Sequence, residues 1–197
     1  FALEDMLSAN APDAAFAKPD PTNGPATGIV AHLFFPGCQL AAAHQGQTLA
    51  AYAHLRAHLS VGRAGGVGLI SRCCGVPAQW AGRADLLRRA AEEFASAWEG
   101  LGRPRVIAAC SGCLSALRLP EYKEAAPGLQ AVPLWEVLAE LPLPEKVAPV
   151  PAGPLALHDP CTAREDAPFR EAARTLAARL GLRVEEGEFS GGLAECC

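Results

Sequence analysis

No stretch of the 197-residue chain offers the roughly 18 consecutive apolar residues of a membrane span, although half of its residues are hydrophobic. Direct insertion into a membrane is therefore not expected. Charge is also weakly biased: a net −4 with mixed signs leaves no basic stripe for nucleic acid and no polybasic run for a membrane surface. The N-terminus lacks the positive, apolar and small-residue order of a secretory signal. The expected location is cytoplasmic, with any attachment to a membrane-bound complex made through a partner. No Ser-His-Asp arrangement and no phosphate-binding loop is present. The first residue is Phe1 rather than Met, so a fragment or a processed chain is expected.

What the chain does have is eight cysteines. In an exported chain they would form a disulfide set, but grouped thiols in a cytoplasmic one serve metal or redox chemistry. They are grouped here. An adjacent pair, Cys73-Cys74, lies in SRCCGVPAQW, 35 positions after Cys38 and 36 before the C-x-x-C pair Cys110 and Cys113. Cys161, Cys196 and Cys197 then repeat Cys38, Cys73 and Cys74 at one offset of 123 positions. The same offset would place a second C-x-x-C beyond the last residue, so the second set is expected to be cut short.

Residues 1–28 are rich in Ala, Pro, Asp and Gly and read as a linker or arm. From Ile29 the apolar run IVAHLFF reads as a buried strand ending at Pro36-Gly37-Cys38. An Ala-rich helix is expected from about Ala42 to Leu59, broken at Gly62 and Gly65-Gly66. Val67–Ile70 form a second strand, running straight to the vicinal pair. Leu86, Leu87, Ala90, Ala91, Phe94, Ala97, Trp98 and Leu101 mark one face of a helix. Val106–Ala109 make a third strand that runs into Cys110, where a short helix begins. Further on, 129–132 read as a strand and 134–141 as a helix.

The proline-rich stretch 142–153 reads as an extended connection between a first unit, 29–141, and a second, 154–197. In the second unit an apolar run leads to Asp159-Pro160-Cys161. Asp166 and Pro168 suit the start of a helix carrying Phe169, Ala173, Leu176 and Leu180 on one face, and a polar strand is expected over 183–189. Strands alternating with helices imply an α/β fold of parallel β-α-β units. In such a sheet all strands present their carboxyl ends on one edge, where open α/β sheets place ligands. Cys38, Cys73, Cys74, Cys110 and Cys113 are therefore expected to meet there.

Four uses of these thiols compete. Disulfides would need separate partners for Cys73 and Cys74. A structural zinc site, as in a binding or scaffold module, needs four tetrahedral ligands and leaves one thiol over. A thioredoxin-like pair at Cys110 and Cys113 accounts for two thiols of the five. An iron–sulfur cluster, with several soft metal atoms, can use all five from separate loops.

The order Pro-Gly-Cys38, Cys73-Cys74-Gly75 and Cys110-x-x-Cys113, then Asp159-Pro-Cys161 and Cys196-Cys197, resembles the duplicated cysteine-rich CCG domain. That domain occurs in heterodisulfide reductases and in the iron–sulfur subunits of related oxidoreductases. The resemblance covers about residues 30–197. It implies that Cys38, Cys73, Cys74, Cys110 and Cys113 ligate one non-cubane 4Fe-4S cluster, and that Cys161, Cys196 and Cys197 are an incomplete second set. It also implies electron transfer with flavin- or ferredoxin-type subunits and a small-molecule or protein disulfide as substrate. The chain departs from the family in lacking Gly and a further C-x-x-C after Cys197, and it carries no C-x-x-C-x-x-C-x-x-x-C-P ferredoxin run.

Other residues have two readings each. His158 is a metal neighbour or a strand-end histidine, and His54 and His58 are a metal pair or a surface helix face. Arg72 offsets the charge of bound thiolates or lies on the surface. Trp80 walls the site or fills the core. Gly37, Gly75 and Gly112 are expected to allow backbone turns close to the thiols.

Overall fold

A computed structural model describes residues 29–60, 66–144 and 153–196 of the chain. The expected arm 1–28, the break at Gly62 and Gly65, residues 145–152 of the proline-rich connection and Cys197 lie outside the described residues. The protein is α/β, and it divides into two compact units, Phe1–Val132 and Pro133–Cys197.

The first unit is built on strand β1 (Val30–Phe35), β2 (Gly66–Leu69), β3 (Arg105–Ala108) and β4 (Ala131–Pro133), in the order β2-β1-β3-β4. β1 is the central strand and is parallel to both β2 and β3. Its apolar run does not alternate because helices cover both faces of a parallel sheet. Leu33, Phe34 and Phe35 are accordingly all buried, as are Val67, Leu69, Val106, Ile107 and Ala108. The register pairs Phe34 with Leu69 and Phe35 with Ala108, so the three strands finish at one level. Single bonds continue the ladder past each end, from Ile70 N–H to the Phe34 carbonyl (3.0 Å) and from Ala109 N–H to the Phe35 carbonyl (3.1 Å).

Among the described residues this unit has six helices: α1 (Cys38–Ala43), α2 (Gln45–Leu59), α3 (Val76–Trp80), α4 (Ala84–Gly100), α5 (Ser111–Ala116) and α6 (Pro120–Ala125). α4 buries Leu87, Ala91, Phe94 and Trp98, the i, i+4, i+7 and i+11 stripe of an amphipathic helix, while Leu86 of the expected face is exposed. The Trp98 indole N–H donates to the Pro104 carbonyl at 2.8 Å, which satisfies its one polar atom. The single Ala-rich helix expected from Ala42 is instead two, divided at His44 and beginning already at Cys38. Thr48 stabilises the division, because its buried hydroxyl reaches back to the carbonyls of His44 (3.0 Å) and Leu40 (3.2 Å).

In the second unit α7 (Leu134–Glu140) packs on α8 (Ala167–Arg179), and β5 (Leu155–Leu157) is parallel to β6 (Val184–Glu186). Asp166 caps α8 by accepting the Phe169 N–H at 3.2 Å, with Pro168 in the first turn, as the sequence implied. Arg179 donates to the carbonyls of Leu138, Ala139 and Leu141 and so closes the C-terminal end of α7, where unpaired carbonyls collect partial negative charge. The order of strand, cysteine turn, helix and parallel strand repeats that of the first unit. β5 is exposed at Leu155 and Ala156, however, where the corresponding part of β1 is largely buried. The polar strand expected over 183–189 is limited to three residues, and Phe189 beyond it is exposed.

Candidate metal centre

The three parallel strands of the first unit each release the chain at the same edge, and each release is followed within a few residues by cysteine. Cys38 opens α1, Cys73 and Cys74 precede α3, and Cys110 stands just before α5 with Cys113 inside it. The thiols interact across the loops. Cys113 hydrogen-bonds with both Cys110 and Cys74, while Cys38 lies within the electrostatic reach of Cys73, Cys74 and Cys110. Separation by up to 75 positions in the chain has become proximity in space.

Burial divides the vicinal pair. Cys74 is 4% exposed, whereas Cys73 is open to solvent, so neighbouring side chains leave the backbone in opposite senses. Cys113 is buried, and Cys38 and Cys110 are half-buried. Protons are also distributed unevenly. The bond from Cys113 brings the Cys110 thiol down to about 6, helped by the backbone N–H groups of Cys113 and Gly112. The same partner, with the Val76 amide, offsets burial at Cys74 and brings that thiol to about 7. Cys113, which makes both bonds from a buried position, is pushed up and keeps its proton. Burial and then the neighbouring thiolates of Cys73 and Cys74 raise Cys38. Thiolate is the ligand form of cysteine, and the bonds from Cys113 favour it at Cys74 and Cys110.

Two glycines make this approach possible. Gly37 has φ of 82°, and a Cβ there would lie 3.0 Å from Cys113 Sγ and 3.0 Å from Cys110 Cβ. The Pro-Gly-Cys turn thus forms a cradle that a side chain would fill. Gly75, at φ of 78°, turns the chain into α3, and a Cβ there would meet Leu87 Cδ1 at 3.0 Å. Gly112 differs from the expectation: it lies within α5, a helical position that any residue can take.

Among the described residues no three His, Cys, Asp or Glu side chains stand together as ligands of a single metal ion. The thiols are held to one another through Cys113. One orphaned polar atom also lies in the same loop. Ser71, two residues before Cys73, is 4% exposed, and its buried hydroxyl has no partner among the described residues. Such a group is costly unless something else satisfies it. Five thiols on several loops, the absence of a side chain at Gly37 beside two of them and the unsatisfied Ser71 hydroxyl next to the vicinal pair are chemistry suited to binding metal.

Residues 32–118 match the family model described as CCG, a cysteine-rich domain. That segment is a CCG domain. It contains all five thiols of the first set and ends just before α6, and it is a domain associated with iron–sulfur oxidoreductases. No curated protein and no solved structure matches the chain. Among the described residues no helix is long and apolar enough to cross a membrane.

The remaining sequence candidates fall outside this group. Arg72 pairs with Glu93 on the surface at 3.4 Å, where its charge is well solvated. Trp80 is 71% exposed and fills no core; α3 is only five residues long and buries Val76 alone. His58 Nδ1 donates to the His54 carbonyl at 2.8 Å, and the two rings pack with centroids 4.3 Å apart, away from the cysteine loops in sequence. His158 is exposed beside Asp159. Of the second cysteine set, Cys161 is half-buried and Cys196 exposed.

Sequence reasoning missed Tyr122 and gave Asp159 no role beyond its place in the cysteine motif. Tyr122 is fully buried, and its hydroxyl donates to the Cys74 carbonyl at 3.1 Å. The scarcity of tyrosine was the available signal, since the chain has only two, and the other, Tyr52, is also buried and donates to the Val67 carbonyl. Asp159 is 2% exposed and accepts from Arg174 at 2.6 and 3.0 Å and from the Gly191 amide at 2.7 Å. It joins the turn holding Cys161 to the loop leading to Cys196.

Proposed function

We propose that the CCG domain is the electron-carrying part of an oxidoreductase of heterodisulfide reductase type, with Cys38, Cys73, Cys74, Cys110 and Cys113 holding one non-cubane 4Fe-4S cluster. The observation that supports this most is the meeting of five thiols from three strand ends at one edge, with Cys113 bonded to two of them. When bound, such a cluster supplies one-electron transfer. The residues of the chain provide the rest. Burial of Cys74 and Cys113 keeps water from the inner side of the site, and Cys113 Sγ retains a proton that metal loading must release. The exposed side at Cys73 is the direction from which a disulfide substrate and a flavin- or ferredoxin-type partner would approach. Cytoplasmic placement follows from the need to keep these thiols reduced.

The test is anaerobic purification or reconstitution of the chain with iron and sulfide. A brown protein with equal iron and acid-labile sulfide supports the cluster. Colourless protein with stoichiometric zinc would overturn it in favour of a structural zinc module.

A further inference from the structure

The Cys74–Gly75 peptide is held at both ends. Its carbonyl accepts the Tyr122 hydroxyl at 3.1 Å, and its amide, on the opposite side of the same planar unit, donates to Cys73 Sγ at 3.5 Å. Because the peptide is rigid, fixing the direction of the C=O also fixes the direction of the N–H. Tyr122 is in turn fixed by the core. Its ring meets Phe94 edge-on, with centroids 5.6 Å apart at 64°, and Phe94 lies 5.6 Å from Phe35 of the central strand. Tyr122 lies four residues beyond the matched CCG segment.

We infer that Tyr122 is a positioning residue for Cys73: its hydroxyl clamps the Cys74–Gly75 peptide so that the Gly75 amide points at the Cys73 sulfur. This rests on the cluster reading, under which Cys73 is a ligand. Amide donors to a ligating sulfur favour the more negative, reduced state of a cluster and so tune its potential.

Tyr122→Phe keeps the ring and removes only the donor, and Phe94→Leu loosens the same packing while leaving the donor in place. In the reduced, metal-free protein, peptide mass spectrometry after iodoacetamide should show Cys73 reacting up to about fivefold more slowly in Tyr122→Phe, because its sulfur loses the amide donor that stabilises the thiolate, a factor that corresponds to about 1 kcal/mol of lost hydrogen bonding. Phe94→Leu should change this rate less. After reconstitution, Tyr122→Phe should shift the cluster midpoint to more negative values, and Phe94→Leu should leave it near the wild-type value. Wild-type alkylation in Tyr122→Phe, or an equal shift of the midpoint in Phe94→Leu, overturns the inference. If the wild type takes up no iron, the cluster reading falls, and the alkylation comparison alone decides whether the clamp exists.

Discussion

Single residues at this edge differ in ways their identity does not reveal. Five cysteines have the same side chain, yet Cys113 is pushed up while Cys110 is brought to about 6. The cause is one hydrogen-bonding partner shared between two thiols, a relation among loops far apart in the chain. Alkylation of the reduced, metal-free protein tests it, since thiolate is the reacting form and the rate rises with pH through each thiol's own value. The Cys110 rate should reach half its maximum near pH 6, and the Cys38 midpoint should lie above the ordinary 9.0. A Cys110 midpoint near 9 would show that the Cys113 bond does not persist in solution. Cys38, Cys73, Cys74, Cys110 and Cys113 were legible as a group because each follows a strand end. Which of the vicinal pair faces inward was not, because that depends on the Gly75 turn and on Tyr122, 48 positions from Cys74.

At the scale of elements, the two repeats solve one problem differently. In the first unit the cysteine turn after β1 is tied to β2 by the ladder bond from Ile70 to Phe34. In the second, a polar clamp does this: Asp159 joins Arg174 of α8 to the Gly191 amide, and Arg164 Nε donates to the Ala194 carbonyl at 2.7 Å. Arg174 also pairs with Glu186 of β6 at 2.7 Å. The guanidinium of Arg174 holds the Asp159 carboxyl below its ordinary 3.8. A depressed carboxyl contributes stability that is fully present above the unfolded value and is lost as pH falls through the folded one. The protection of α8 and the 190–194 loop against hydrogen exchange, taken relative to the unfolded chain at the same pH, should therefore fall below about pH 3.8 in the wild type. Asp159→Asn should lose about 2 kcal/mol of protection at pH 7 and show a flatter response to acid, because a charge-assisted bond has been removed. The sequence marked Asp159 only as part of a cysteine motif. Its partner Arg174 carries no mark in the sequence, because the carboxylates it joins come from the Asp159 turn and from β6.

For the whole molecule, stability and chemistry reside in different parts. The first unit's core is a parallel sheet of buried aliphatic and aromatic residues, whereas the thiols lie at its edge. Under the proposed cluster reading, Cys74→Ser should abolish iron–sulfur occupancy while circular dichroism retains the α/β signal, and Leu33→Ala on the central strand should cost about 2–5 kcal/mol in urea unfolding. Global unfolding of Cys74→Ser would make the site structural. The sequence by itself determined the strands, through unbroken apolar runs, the long helix α4, through its stripe, and the edge to which the thiols belong, through the one-way geometry of parallel β-α-β units. These are local patterns and a general rule of handedness, so neighbouring residues suffice to express them. Only the tertiary structure decided the inward turn of Cys74, the proton held at Cys113, the cradle at Gly37, the division of the first helix at His44 and the solvent position of Trp80. Each depends on which side chains meet after folding, and contacts across loops leave no periodicity in the chain from which to read them.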